Sequence, residues 1–503
     1  LVISFNANAT VDAVETLIQN LTYGSTSQSP DATRTVGLRI ADGDGGSSAA
    51  STVTINVTPE LDGKPLAHGE EQVNTYTAGA QEEPEVAVLN DGSYVVVWQS
   101  YGQDALNTDG VYFQHFAANG TAIGGETRVN TALTGEQEYP HIAALSDGGF
   151  VVTWQDSSGF DGSGWGIVAQ RYNGSDVAQG ANFVINTTAS STQQFDAVAG
   201  YTNGFAVVWA SGSDIYLKRF DNAGNQTLAE TRISTVPGAP ATAQTGTQDT
   251  PAIAARPDGS LVIVWQDLSS NDSSVYGVYG RTVSSAGVLS DTFLVNATTA
   301  SYQYEPSVAT LSDGGFVVVW SSYNQDTGSS DYGIYGQRYD AAGLKVGGEF
   351  LVNETTAGNQ QQASVTGLST GGFVVSFHNA NYDLTGTGSY QDVYLREYDA
   401  SGNPIDGQRK LEMVTNTPSN VENQPAIADL GNGNFVVVYT DHVPANDGGN
   451  ATTEITQQIF GTGATLTRQA NPTLGDFTGT VTFGENLINA TPQVIDAAVS
   501  LSD

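Results

Sequence analysis

Residues 306–353 read PSVATLSDGGFVVVWSSYNQDTGSSDYGIYGQRYDAAGLKVGGEFLVN and contain one complete structural repeat. Residues 306–311 form a short apolar segment, and residues 316–320 form a continuous apolar run that is typical of a strand buried on both faces. Residues 333–339 alternate between apolar and polar side chains, and residues 349–353 are a fourth strand-like segment. Turns rich in glycine and aspartate separate the segments. The stretch therefore predicts four consecutive strands.

The same pattern recurs seven times along the chain. An aromatic residue closes the second strand of each copy, at intervals of 55 to 62 residues: Trp98, Trp154, Trp209, Trp265, Trp320, Phe377 and Tyr439. A polar residue stands 16 or 17 residues before each aromatic: Gln81, Gln137, Gln193, Gln248, Gln303, Gln360 and Glu422. Four strands in about 55 residues match one blade of a β-propeller. We expect the aromatics to pack between neighbouring blades.

The two ends of the array predict that the ring closes. No fourth strand follows residues 455–461 of the seventh copy, whereas a matching segment, residues 71–74, precedes the first copy. A propeller whose last blade takes its outer strand from the N-terminal side hides its sheet edges, and a linear solenoid would have no reason for this shift. Residues 71–468 are therefore predicted to form a seven-bladed β-propeller in an all-β chain.

The composition limits the partners and the chemistry of the chain. Acidic residues outnumber basic ones 53 to 16, and the resulting net charge of −37 repels nucleic acid and anionic lipid and attracts cations. The 503 residues include no cysteine, which excludes disulfides and thiolate chemistry. No apolar stretch has the length of about 20 residues that a membrane span needs. We therefore expect neither nucleic acid nor a membrane span.

Residues 1–60 and 469–503 lie outside the repeat, with residues 61–70 as a linker, and residues 11–21 predict a short helix. The sequence FNANATVDAVETLIQNLTYGSTS, followed by RTVGLRIADGDGG, resembles the closing half of cadherin-like modules in giant bacterial type I-secreted (RTX-type) surface proteins. VTFGENLINATPQVIDAAVSLSD resembles the opening half of such a module, and the repeat resembles an array found in the same class. The resemblance implies partial cadherin-like β-sandwich segments on both sides of the propeller, and an extracellular or bacterial cell-surface location.

Two features of the repeat region are candidate ligand contacts. Trp165 lies outside the blade pattern in a loop of glycine, serine and aspartate, where a large aromatic has little structural reason. We therefore expect Trp165 to bind a ligand. The recurrent glutamines offer a symmetric ring of polar side chains, but we expect them to satisfy backbone groups where each first strand begins.

The loops between the second and third predicted strands carry pairs of acids. Calcium takes six to eight oxygen ligands, and such loops provide both carboxylates and backbone carbonyls. The alternative is that aspartate acts there as a turn former. The third copy has only Asp214, so we expect its loop to bind no metal. The predicted calcium ligands are Asp104 with Asp109, Asp156 with Asp161, Asp267 with Asp272, and Asp326 with Asp331.

The sequence contains none of three common catalytic motifs: HExxH, GxSxG and the SxDxGxxW box of sialidases. It therefore predicts that the chain is not an enzyme. The first hypothesis is a calcium-stabilised structural or adhesive module of a large surface or secreted protein, whose propeller face contacts surface glycans or neighbouring copies or modules of the same protein. The alternative is a lectin-like, carbohydrate-binding propeller. A glycoside-active enzyme is a third reading, because any two carboxylates can meet in a fold.

Overall fold

The computed structural model describes most of residues 71–461 and five strands in the flanking segments. Within 71–461 it leaves out residues 106, 190, 235–245, 269–275, 300, 327–330, 357, 381–390, 406, 412–421 and 444–451. All regular secondary structure in the described residues is β-structure. The helix predicted at residues 11–21 lies outside the described residues. No helix long and apolar enough to cross a membrane occurs among the residues described.

Seven four-stranded sheets follow one another along the chain, which confirms the predicted seven-bladed propeller. Blade 1 comprises Gln81–Val88, Tyr94–Tyr101, Asp109–Phe116 and Ala122–Arg128. Blade 2 comprises Gln137–Ala144, Phe150–Asp156, Gly166–Tyr172 and Phe183–Val184. Blade 3 comprises Gln193–Tyr201, Gly204–Ser211, Asp214–Asp221 and Gln226–Arg232. Blade 4 comprises Gln248–Ala255, Leu261–Asp267, Gly277–Val283 and Phe293–Leu294.

The remaining three blades have the same antiparallel order. Blade 5 comprises Lys345–Leu351 as its outer strand and, inside it, Gln303–Thr310, Phe316–Tyr323 and Tyr332–Tyr339. Blade 6 comprises Asn359–Gly367, Phe373–Ala380, Gln391–Tyr398 and Arg409–Lys410. Blade 7 comprises Glu422–Gly431, Asn434–Val443 and Thr452–Gly461, and its fourth strand is Glu71–Gln72.

The N-terminal strand closes the ring as predicted. Gln72 pairs with Thr456, and Glu71 pairs with Gln457, in an antiparallel register. The amide of Val73 donates a hydrogen bond of 2.7 Å to the carbonyl of Ile455. The last blade is therefore completed by residues that precede the first blade, which leaves no gap in the ring.

The recurrent aromatics are fully buried between blades, which confirms their predicted packing. Their exposure is at most 1 % of the side chain in all seven copies. Trp154 of blade 2 packs in one cluster with Val97 and Val111 of blade 1. Trp98 of blade 1 packs in the same way with Val438 of blade 7. Each aromatic thus joins its own blade to the preceding one, and this apolar contact orders the blades around the ring.

Polar side chains add a second set of contacts between blades. Arg219 is 5 % exposed, and its guanidinium donates hydrogen bonds to the carbonyls of Ser284, Ser285 and Gly259 in the next blade. Arg338 donates in the same way to the carbonyl of Ala400 at 2.9 Å. Several of the few cations of this acidic chain therefore fix blade positions, because buried carbonyls need donors.

The flanking segments group into a separate unit of residues 1–64 and 463–503. Thr33–Leu38 pairs antiparallel with Ser51–Thr58, which pairs in parallel with Thr480–Gly484. Thr22–Tyr23 pairs antiparallel with Gln493–Val494. The two flanks, which the sequence assigns to separate modules, thus share sheets in this structure. Their cadherin-like character stays a prediction.

Candidate functional site in the central channel

Each first strand contains a β-bulge at the same position. The bulge residue lies two residues after the recurrent glutamine or glutamate and has a left-handed φ of 47° to 54°. A residue other than glycine in this conformation costs about 1–3 kcal/mol and persists only where its surroundings compensate. Seven repetitions make the bulge a property of the fold. The bulge residues are Glu83, Tyr139, Phe195, Thr250, Glu305, Gln362 and Gln424.

Hydrogen bonds between blades compensate the bulges. The backbone amide of Tyr139 donates to Oε1 of Gln99 in the preceding blade at 3.0 Å. The amide of Glu83 donates to Oε1 of Gln424 at 3.2 Å, and the Gln424 amide group returns a bond of 2.6 Å to Oε1 of Glu83. These two bulge amides, and those of Glu305, Gln362 and Gln424, are therefore partnered although they leave the sheet ladder. The outcome is a belt of polar contacts around the axis of the ring.

The bulge residues surround a cavity of about 550 Å³ that residues of all seven first strands line. We call this cavity the channel. Its volume lies within the range of about 300–1,000 Å³ that small-ligand sites occupy. No lysine or arginine belongs to the lining in the described part of the chain. The carboxyl and imidazole groups of the channel belong to Glu83, Glu85, His141, Asp196 and Glu305, and its phenols belong to Tyr139 and Tyr304.

His141 faces carboxylates from two other blades. Its Nδ1 lies 3.7 Å from Oε1 of Glu85. Burial alone would lower the pKa of His141, but Glu85 and then Asp196 and Glu83 raise the pKa to about 9. The imidazole is therefore a cation at neutral pH, and it shares its charge among three acids.

Glu83 is a channel group whose pKa lies near neutral pH. Burial first, and then Glu82, Glu85 and Glu305, raise its pKa to about 7 against the lowering effect of His141. A carboxyl of this kind holds a proton for part of the time at pH 7 and gives it up readily. The channel thus contains a carboxyl group that can act as a general acid.

Five tyrosines form a continuous cluster at the junction of blades 4 and 5. Neighbouring ring centroids lie 4.9 to 6.0 Å apart, and every member is half-buried, so that one part of each ring faces solvent. Burial raises the pKa of Tyr304, and Tyr332, Tyr276 and Tyr302 raise it further, so this phenol stays neutral. Tyr304 also lines the channel. The tyrosine cluster consists of Tyr276, Tyr302, Tyr304, Tyr323 and Tyr332.

The recurrent glutamines satisfy local polar groups, as expected. Gln81 and Gln303 each accept the indole hydrogen of their own blade's tryptophan, at 2.9 and 2.8 Å. The Gln81 amide group donates to the carbonyl of Gly79 at 3.0 Å, and the amide group of Gln360 donates to that of Gly358 at 2.9 Å. All seven side chains of the series are buried. They organise the strand starts and do not face the channel.

Trp165 lies on the loop before the third strand of blade 2 and is half-buried, and it does not line the channel. Its carbonyl accepts a 3.2 Å hydrogen bond from the amide of Gln193 in the next blade. Trp165 directly precedes Gly166, as Tyr276 precedes Gly277, so the two residues occupy the same fold position in different blades. A ligand contact of Trp165 stays a prediction.

In each of three predicted pairs, one acid accepts a hydrogen bond from an asparagine of its own blade. Asp104 accepts a 2.8 Å hydrogen bond from Asn130, and Asp161 and Asp326 accept the corresponding bonds from the asparagines of their own blades at 3.0 and 3.2 Å. A Cβ at Gly110 would stand 2.5 Å from an Asp104 oxygen, so glycine at the second position of this third strand leaves room for the carboxylate. These acids fasten the fourth strand of each blade to its loop.

The other predicted metal ligands differ from one another. Asp156 is buried and accepts the indole hydrogen of Trp154 at 3.3 Å and the amide of Ser158 at 2.7 Å. Asp267 is buried and Asp331 half-buried, whereas Asp272 lies outside the described residues. Calcium at these loops stays a prediction.

Asp109 belongs to a group of three carboxylates at the junction of blades 1 and 2. Its oxygens and those of Glu136 and Glu138 lie within 4.8 Å of one another. Burial first, and then Glu138, Glu136, Glu82 and Asp104, raise the pKa of Asp109 to about 7. We call Asp109, Glu136 and Glu138 the acidic triad. The acidic triad contains one predicted calcium ligand, Asp109. Its other two members were not indicated by the acid pairs that the sequence shows within single loops.

The acids and the histidine of the channel were missed because they come singly or as a pair from four different blades. A signal is present in the repeat: they stand two, three or four residues after the recurrent glutamine. Two and four residues after the glutamine the copies differ in charge and size, whereas the flanking apolar pattern stays constant.

Neither a protein-family model nor a curated protein matches this sequence. Among solved structures, an ulvan lyase described as a polysaccharide lyase of family PL25 has a TM-score of 0.52 and 10 % identity, over 78 % of this chain and 96 % of its own. A protein of unknown function from Dyadobacter fermentans has a TM-score of 0.47 and 12 % identity, over 80 % of this chain and 100 % of its own. An α-L-arabinofuranosidase of Fusarium graminearum has a TM-score of 0.42 and 13 % identity, over 78 % of this chain and 98 % of its own.

The similarity to the ulvan lyase shows the propeller fold. It also corrects the expectation that the chain is not an enzyme, because proteins with this fold include a polysaccharide lyase. The absence of a linear motif was a weak reason for that expectation, since a propeller collects its polar groups from separate blades. The channel holds such a collection.

Proposed function

We propose that the propeller binds a saccharide chain across the tyrosine cluster and the mouth of the channel. The observation that carries this proposal is the position of Tyr304, which belongs to the cluster and also lines the channel. Aromatic faces pack against the C–H faces of sugar rings, and carboxylates accept hydrogen bonds from hydroxyl groups. The two parts of the surface together offer both kinds of contact.

The charges of the channel favour a neutral or basic saccharide. Its described lining has four carboxyl groups against one histidine, in a chain of net charge −37. A sulfated or uronic polysaccharide would need a cluster of cations that this lining does not offer among the described residues. In this proposal the chain is a glycan-contacting module of a large surface or secreted protein, and calcium stabilises its acidic loops.

An array of neutral, basic and acidic oligosaccharides tests the proposal. We expect wild-type protein to bind members of the first two classes and Tyr304→Ala to lose at least tenfold in affinity. Tyr323→Ala should weaken binding as well. Tyr101→Ala is its matched control, because Tyr101 ends the second strand of blade 1 as Tyr323 ends that of blade 5. Equal losses of affinity in Tyr323→Ala and Tyr101→Ala would reject the proposal. The absence of binding by wild type to any oligosaccharide of the array would reject it as well.

A second candidate function is cleavage of the bound saccharide. The pKa of about 7 for Glu83 favours it, because a general acid works best when its pKa lies near the operating pH. His141 and Glu85 both influence the pKa of this group, and His141 Nδ1 lies 3.7 Å from Oε1 of Glu85. We expect product formation to fall as the pH rises through 7 and to be lost in Glu83→Gln, while that variant still binds the saccharide. Binding without turnover by wild type would leave only the binding function.

A further inference from the structure

Asp196 departs from the repeat at a position where the other blades agree. It stands three residues after the recurrent glutamine, directly after the bulge. All seven residues at this position are buried. Five blades have proline there and one has alanine: Pro84, Pro140, Pro251, Pro306, Pro425 and Ala363. The fold therefore neither needs an acid nor needs a backbone N–H at this position, and blade 3 alone has a carboxylate there.

The Asp196 carboxylate is buried without a hydrogen-bond partner. The residue is 2 % exposed, it lines the channel, and neither of its oxygens accepts a hydrogen bond within the described structure. Such a group costs free energy unless something pairs with it. Burial raises the pKa of Asp196, and His141, the nearby Thr153 hydroxyl and the residue's own backbone amide oppose this effect, although neither Asp196 nor the Thr153 hydroxyl reaches hydrogen-bond geometry. His141 also faces Glu85 at 3.7 Å, so its single charge does not balance both acids.

From this geometry we infer that Asp196, together with Glu85, binds a positively charged group of the saccharide, namely the free ammonium of an amino sugar. The inference rests on the proposed saccharide binding and specifies the class of sugar. An ammonium group donates three hydrogen bonds and carries the charge that the channel lacks. An N-acetylated sugar presents a neutral amide there, and a neutral sugar presents a hydroxyl, so neither neutralises the buried carboxylate.

Calorimetry with three oligosaccharides of equal length tests this inference. The probes are a β-1,4-linked glucosamine tetramer, its fully N-acetylated counterpart and a β-1,4-linked glucose tetramer, all in EDTA. We expect wild type to bind the glucosamine tetramer at least tenfold more tightly than the other two. Asp196→Asn and Asp196→Pro should reduce this preference to less than twofold while retaining affinity for the neutral tetramers.

Asp176→Asn is the matched control. Asp176 also lies beside a histidine, at 2.9 Å from Nδ1 of His115, but it does not line the channel. The substitution removes one negative charge from the chain, so it changes the overall field as Asp196→Asn does. We expect it to keep the tenfold preference.

Thermal melting separates a binding role from a structural one. We expect Asp196→Pro to raise the Tm, because it removes an unpartnered buried carboxylate and installs the residue that five other blades have. A lower Tm with an unchanged sugar preference would overturn the inference. Equal affinity of wild type for all three tetramers would also overturn it but leave saccharide binding intact. If wild type binds none of the tetramers and no member of the saccharide array, the proposed function itself is rejected.

Discussion

Two junctions of this ring place opposite chemistry on the same backbone positions. The acidic triad at blades 1 and 2 consists of the residue before Gly110 and the two neighbours of Gln137. At blades 4 and 5 the residue before Gly277 and the two neighbours of Gln303 are Tyr276, Tyr302 and Tyr304. The first set has carboxylate oxygens within 4.8 Å of one another, and the second has ring centroids 4.9 to 5.9 Å apart.

The difference teaches that the repeat fixes where side chains meet but not what they do. The tyrosines gain from mutual ring contact and stay neutral. The acids repel one another, so that the pKa of Asp109 rises to about 7 through burial and then through Glu138 and Glu136. One junction suits the faces of sugar rings, and the other suits a cation. Four expected results test this comparison, from the largest effect to the smallest.

The largest effect concerns the closed ring that holds both junctions in place. Deleting residues 1–76 should lower stability by about 3–5 kcal/mol more than deleting residues 1–60. The longer deletion removes buried Val73 and its backbone hydrogen bond to Ile455, and it leaves the amide of Ile455 without Asn74 as acceptor. Denaturant melts of the two truncations measure the difference. Identical midpoints would mean that the ring does not depend on this strand.

Exchanging the chemistry of the two junctions should have the next largest effect. The triple variant Tyr276→Asp, Tyr302→Glu and Tyr304→Glu copies the acidic triad onto blades 4 and 5. We expect it to lose at least a hundredfold in saccharide affinity, or about 2.7 kcal/mol. Its control replaces the acidic triad with alanines and should keep wild-type affinity. If both triple variants bind the saccharide equally well, the tyrosine junction has no special part in saccharide binding.

The fold was predictable because every copy repeats its apolar pattern. Seven aromatics such as Trp98 mark the same buried position in every copy. The EQVN segment at residues 71–74 indicates that the ring of blades closes. Each of these signals is local in sequence and confirmed by the same hydrophobic burial in every blade. The number of blades and the strand order follow from them.

The candidate site was not predictable in this way. Glu85, His141 and Asp196 come from three blades, and only the ring brings them into one channel. The acid pairs within single loops were visible in the sequence. In the structure, however, Asp104 accepts a hydrogen bond from an asparagine of its own blade, and Asp109 lies beside Glu136 of the next blade. Pairing across a junction depends on blade packing, which the spacing within one copy does not report.

Neutralising the acidic triad should have a moderate, pH-dependent effect on stability. Folding raises the pKa of Asp109 from 3.8 to about 7, so the folded state holds this proton more tightly than the unfolded chain does. That contribution favours folding below pH 4 and is lost as the pH rises to 7. Asp109→Asn should therefore match wild type near pH 4 and exceed it by about 1–2 kcal/mol above pH 7, after allowance for solvent screening. Tyr276→Phe, at the equivalent position, should show no such change over this range.

The smallest expected effect is stabilisation by calcium at the acidic triad. Extracellular modules bind calcium with Kd of about 10⁻⁴ to 10⁻³ M, so 1 mM calcium should add about 0.4–1.4 kcal/mol to the folded state. A divalent cation would offset the repulsion among the three acids, and Asp109→Asn should therefore lose most of the increment. Asp214→Asn should keep it although it breaks the 2.5 Å ion pair with Arg232, because the Asp214 loop has a single acid. Melting curves in calcium and in EDTA, matched for ionic strength, measure each increment. Superimposable wild-type curves would leave the triad as a site of repulsion without a metal.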